Sequence, residues 1–274
     1  MANFSKVSRR SILLGAAAFG AFPADVFCQT VNSQTVDDGV IVSGEVPPLP
    51  DDLASLNTAP AYRWAGSASL VGAGSPTDEE KTLGDVVLAG AKANRRPFDV
   101  AKYFYDLGQS KDPKRVFVRE WPERANPVIV EFFRATDTTP NGDITPWCAA
   151  FVNWCIARGN STTESKTFTS KVLDLTTRSA ASGSFRCWTE TTTPKEGDLV
   201  VFAQKGSEGR SCNGQGHVAF FVSRDANRIN ILGGNQILAG TSGAVTMSSY
   251  PLDNGERGRL KFLRFVTSPA LHTA

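Results

Sequence analysis

Histidine is almost missing from this chain: two occur in 274 residues, His217 and His272. Cysteine is sparse as well. Five residues are too few for a disulfide-framework protein of this length. No Cys-x-x-Cys or His-x-x-x-His pair occurs, which removes the common spacings of zinc ligation. No metal or cofactor is therefore expected. Charge of one sign is lacking too. The 29 Lys and Arg face 27 Asp and Glu, a net of +2, and a nucleic-acid binder would carry a larger basic excess. Long apolar runs are also absent. The stretch Ile12 to Ala24 is broken by Gly15, Gly20 and Pro23 and falls short of the about 20 residues a membrane span needs. What remains is 41% hydrophobic and 20% charged, enough apolar material for a folded core.

The N-terminus reads as an address. Lys6, Arg9 and Arg10 precede the short apolar stretch, as in an export signal. The segment Ser8-Arg9-Arg10-Ser11-Ile12-Leu13 resembles a twin-arginine signal; an ordinary Sec signal with adjacent arginines is the other reading. Residues 1–28 are assigned to it. The cleavage point stays open between Ala24, where Phe22 replaces a second small residue, and a position near Cys28. Phe27 argues against lipid attachment at Cys28. The expected route is the twin-arginine machinery. The expected destination is the periplasm or beyond, with no stable membrane span after processing. Through Cys28 the chain carries Lys6, Arg9 and Arg10 against Asp25, which leaves 26 basic and 26 acidic residues beyond it. The small positive balance belongs to the address.

Residues 29–75 are rich in Ser, Thr, Val, Pro, Gly and Asp without a sustained period, and read as a flexible linker. Residues 76–96 form a helical lead-in, opened by Thr77 and the acids Asp78, Glu79 and Glu80. Residues 97–274 form the main domain. Pro97 starts a second helix with Val100, Tyr103, Phe104 and Leu107 on one face, and Ala125 to Ala135 predicts a third. Five short strands follow, at Leu199–Phe202, His217–Val222, Arg228–Leu232, Ala244–Met247 and Leu260–Phe265. Their hairpin-sized gaps imply an antiparallel sheet. Helices first and strands after give an α+β class.

The segment Thr145-Pro146-Trp147-Cys148 predicts a helix capped by Thr145, with Pro146 at its first position and Gly159 at its end. Cys148 then sits in the first turn, at the positive end of the helix dipole. That setting favours thiolate and makes a cysteine nucleophilic. The first-turn N–H groups can also hold an oxyanion. The helix is apolar nearly all round, as a buried helix would be. Within it Cys155 reads as packing.

A cysteine nucleophile needs a base and a group that orients it. His272 is the third residue from the end, where chains fray. That leaves His217, which follows a Gly-rich loop and opens the strand His217-Val218-Ala219-Phe220. A hairpin about Asp225-Ala226-Asn227 brings Asn235 back level with His217, where its carbonyl oxygen can accept from the imidazole. An ordinary turn asparagine is the alternative. Gln236 is expected to point to the opposite face.

Four motifs carry a resemblance: Thr145-Pro146-Trp147-Cys148-Ala149-Ala150-Phe151-Val152-Asn153-Trp154-Cys155, Gly197-Asp198-Leu199-Val200-Val201-Phe202, Gly216-His217-Val218-Ala219-Phe220-Phe221-Val222 and Leu232-Gly233-Gly234-Asn235-Gln236. Together they resemble the CHAP and NlpC/P60-like cysteine peptidases over about residues 97–266. The resemblance implies a papain-like α+β fold and cleavage of amide bonds in peptidoglycan. It implies Cys148 as nucleophile, His217 as base and Asn235 as third polar residue. One departure stands out. Many CHAP relatives place Gln before the cysteine, and this chain has Trp147. Backbone N–H groups alone, or help from another residue such as Asp143, are both open.

The same residues would serve a cysteine-based deamidase or transferase acting on protein. A cell-wall-binding module that kept the fold without turnover is a further reading. Amidase and endopeptidase action are not distinguishable. Cys187 and Cys212 lie in loop-like sequence; in an oxidising compartment they form either a disulfide or two buried thiols.

Overall fold

A computed structural model describes residues 74–204, 206–209, 211–237, 243–252 and 260–273. The expected export signal and nearly all of the expected linker lie outside the described residues. Five helices come first: α1 Asp78–Gly90, α2 Pro97–Gln109, α3 Pro127–Phe132, α4 Cys148–Gly159 and the short α5 Ser170–Leu173. Six strands follow: β1 Thr189–Thr191, β2 Leu199–Gln204, β3 Gly216–Arg224, β4 Arg228–Ile237, β5 Gly243–Pro251 and β6 Leu260–Thr267. They form one antiparallel sheet in the order β1-β6-β2-β3-β4-β5. The α+β class is observed. No helix of the described residues is long and apolar enough to cross a membrane.

Local chemistry accounts for most boundaries. Thr77 and Glu80 cap each other's backbone at the start of α1, at 3.2 and 2.7 Å. Pro97 and Pro127 open α2 and α3 at the position where a missing N–H costs nothing. The third helix is shorter than its sequence pattern, because the chain tightens into a 3-10 turn at Phe133–Ala135. Strand β1 carries no apolar alternation to announce it. Two of its three residues are exposed, and it is held by pairing Thr189 with Thr267.

The sheet is covered on both faces, which explains why β2 and β3 read as unbroken apolar runs. On one face Leu199, Val201, Val218, Phe220 and Leu232 pack with α2 and α4. On the other, Val200, Phe202, Ala219, Phe221, Ile231 and Tyr250 form a second cluster. Every residue of α4 is buried, including Arg158, whose guanidinium lies 5.0 Å from the centre of the Trp154 ring.

Cys187 and Cys212 are joined in a disulfide, with Cα atoms 5.2 Å apart. The bond ties the turn before β1 to the loop before β3. Arg186 reinforces it by donating to the carbonyl of Gln215 at 2.9 Å. The Gly-rich loop that delivers His217 is therefore anchored at two points.

Candidate active site

Helix α4 begins at Cys148 itself, two residues later than its sequence signals. The Thr145 hydroxyl accepts from the Asn141 N–H at 2.7 Å and is not the cap. Pro146 lies outside the helix, and Trp147 occupies the cap position without a side-chain bond. Its carbonyl accepts the first helical bond, from Phe151 N at 2.8 Å. Cys148 is thus the first helical residue, where the backbone N–H groups have no partner within the helix. It is fully buried, and its sulfur is disulfide-bonded in this structure. Attack through this sulfur requires its reduction first. Burial pushes the Cys155 thiol well up, consistent with packing.

Trp147 has a structural task. Its indole N–H donates to Glu120 Oε1 at 2.9 Å. The other oxygen of Glu120 accepts from Gly243 N at 2.9 Å. One buried carboxylate therefore joins the entry of α4 to the start of β5. Next to it in the chain, Trp121 N donates at 2.9 Å to the Asp143 Oδ2, which also accepts from Asn126 N at 2.8 Å. Burial first, and the neighbouring Glu120 second, raise the Asp143 carboxyl well above the usual range. Sequence reading had no signal for Glu120, which stands 27 and 123 residues from its two partners.

Gly234 explains how β4 comes so close to α4. A Cβ there would run into the Trp147 ring and stand 2.9 Å from Phe151 Cβ. With Phe220 paired to Leu232, Gly234 falls level with Val218, so the first turn of α4 lies at the His217 end of β3. His272 is at the other end. Its ring bonds Asp198 at 2.8 Å, and Asn160, just past α4, donates to Ala270 O at 2.9 Å. Twelve helical residues separate the two ends, about 17 Å. The C-terminus is docked, with Leu271 fully buried, which corrects the expectation of a frayed tail. Position along α4 still separates His272 from Cys148.

His217 is 1% exposed and sits beside Phe202, ring centres 6.3 Å apart. Side chains alternate along β3, so His217 shares the face of Ala219, while Val218 and Phe220 join the cluster that holds Cys148. Neither ring nitrogen has a hydrogen-bond partner among the described residues. The Cys148–His217 contact is not made: the imidazole lies on the Ala219 face of β3, away from the cluster that holds Cys148. Burial pulls the imidazole down to about 4, with the Gln236 amide acting the other way. Asn235 is buried with φ +56° at a register shift between Gly233 and Gln236. Its Oδ1 and Glu120 Oε1 both crowd the Cβ direction of Gly243. Asn235 therefore lies toward Glu120, and Gln236 lies toward His217. The bulge decides which side chain faces which way, and the Gly233-Gly234-Asn235 run was its available signal.

Residues 139–235 match the family model of the CHAP domain. The CHAP region runs from before α4 through β2 and β3 to Asn235, and so takes in Cys148 and His217. It supports the CHAP family, and the helices with an antiparallel sheet are compatible with that domain. A CHAP domain points to hydrolase action of the amidase or peptidase type on peptidoglycan, as found in secreted or cell-wall-acting bacterial proteins. No curated protein and no solved structure matches the chain. The open surface hollow along α2, between Asp99 and Asp112, contains none of the site residues. No cluster of metal-binding side chains occurs among the described residues.

Proposed function

We propose that this chain is an exported cysteine amidohydrolase that cleaves amide bonds in peptidoglycan, with a papain-like arrangement of α4 against the sheet. The reading rests on one observation above all: Cys148 is the first residue of a buried helix whose entry is fixed by the Trp147–Glu120 bond. In the reduced protein this chemistry requires the imidazole to reach Cys148 past the start of β3; His217 then takes the Cys148 proton. The thiolate attacks the amide carbon and a C–S bond forms. First-turn N–H groups hold the oxyanion. His217 then protonates the leaving nitrogen as the C–N bond breaks. Water, activated by His217, splits the thioester to a carboxylic acid and returns the thiol. The resemblance gives Asn235 as the third polar residue, but its side chain lies toward Glu120 and is assigned no part in orienting His217.

Thiol labelling tests this reading. After mild reduction, iodoacetamide at neutral pH is expected to alkylate Cys148 well ahead of Cys155, as read by peptide mapping. A Cys148 as inert as Cys155 in the folded, reduced protein would overturn the nucleophile and favour a binding module.

A further inference from the structure

We propose that Gln236 is the positioning residue that orients the His217 imidazole, by accepting a hydrogen bond from its ring N–H through Oε1. The inference rests on the proposed role of His217 and adds a residue outside the matched CHAP region.

The geometry starts at Gly233. Extending the Phe220–Leu232 pairing by one residue sets Ala219 opposite Gly233. The Cβ direction of Gly233 meets Ala219 Cβ at 2.8 Å and Gln236 Nε2 at 3.1 Å. The Gln236 amide is thus folded back over a bare glycine, on the face of β3 that carries Ala219 and, two residues on, His217. A side chain at 233 would evict it.

Hydrogen bonds then fix which way the amide points. Nε2 donates to Gly233 O at 3.0 Å and to Thr246 O at 2.6 Å, which uses both of its N–H groups. With both donors spent on backbone carbonyls, the oxygen cannot exchange places with the nitrogen. Gln236 is 1% exposed, and its Oε1 is buried without a partner among the described residues. Both nitrogens of His217 are buried and unpartnered as well. A buried acceptor with no donor lies next to a buried ring whose neutral form must carry one N–H. Leaving either group unmade costs about 1–3 kcal/mol. The favourable action of Gln236 on the protonated ring has the sign an accepting oxygen gives. Rotation of the ring to bring one N–H to Oε1 completes the bond. The nitrogen bonded to Oε1 is then the protonated one, which leaves the other as the base. Asn235, turned toward Glu120 by the bulge, cannot serve the same nitrogen.

The experiment reads the His217 ring directly. Imidazole NMR titration of the reduced full chain is recorded for wild type, Gln236→Glu, Gln236→Ala and Asn235→Ala; only His217 and His272 contribute signals. Gln236→Glu is expected to move the His217 midpoint upward by about one pH unit or more, since it adds a negative charge beside the ring. Gln236→Ala is expected to change the tautomer signature and lower kcat about tenfold or more with KM little altered. Asn235→Ala should leave the His217 titration in place. A His217 titration unmoved in folded Gln236→Glu, or moved by Asn235→Ala instead, overturns the proposal. The titration needs no turnover, so its failure is distinct from a failure of the proposed hydrolase activity.

Discussion

Cys148→Ala is expected to lower peptidoglycan cleavage at least about a thousandfold, equivalent to about 4 kcal/mol of transition-state stabilisation. The size follows from chemistry. Alanine offers no nucleophile, and the remaining groups can bind and polarise an amide but cannot form the acyl intermediate. The fold should survive the change. Position 148 is the first helical residue, and alanine is the best helix former. The lost sulfur leaves a small gap in a packed wall, and wild type must be compared in the same reducing buffer because its Cys148 is otherwise disulfide-bonded. Cys155→Ala is the control. That thiol is fully buried and pushed well up by burial, so its loss should cost some stability and little activity. Initial rates of fragment release, with thermal unfolding of each variant, separate the two. Equal loss in both variants would place the effect in packing.

The second large effect is acid sensitivity written into His217. Its folded pKa of about 4 lies below the ordinary 6.5, so between these values the unfolded chain binds a proton that the folded chain refuses. Stability from this group is therefore fully present above about pH 6.5. It falls as pH drops to about 4, by a total of about 3 kcal/mol. Asp143 works in the opposite sense, because its raised carboxyl favours the folded state at low pH. The quantity to measure is thus a difference. With disulfides intact, denaturant unfolding of wild type and His217→Gln across pH 7 to 4 should give curves that converge by about 3 kcal/mol as pH falls. Parallel curves would show that the imidazole is accessible to protons in the fold.

Much of this structure is legible in the sequence where a local rule decides it. Thr77 with Glu80, Pro97 and Pro127 mark helix starts because caps and fixed φ act over three or four residues. The strands show because both faces are buried and their apolar runs are short. Where distant groups decide, the sequence is silent. Thr145 looks like a cap until Asn141 takes its hydroxyl. Glu120 and Asp143 matter through partners brought from elsewhere in the chain. The C-terminal tail looks free until Asp198 and Asn160 hold it. At the site itself, residue types locate Cys148 and His217. The choice between Asn235 and Gln236 turns on one bulged residue with φ +56°, which reverses the simple alternation of a strand.

The most direct test of the central claim is digestion of purified peptidoglycan sacculi by the reduced, full-length chain, with the soluble fragments identified by mass spectrometry. The account predicts fragments bearing one new amine and one new carboxyl end per cleaved amide, released by wild type and not by Cys148→Ala. Intact sacculi after prolonged incubation with folded, reduced wild type, or equal release by Cys148→Ala, would contradict it.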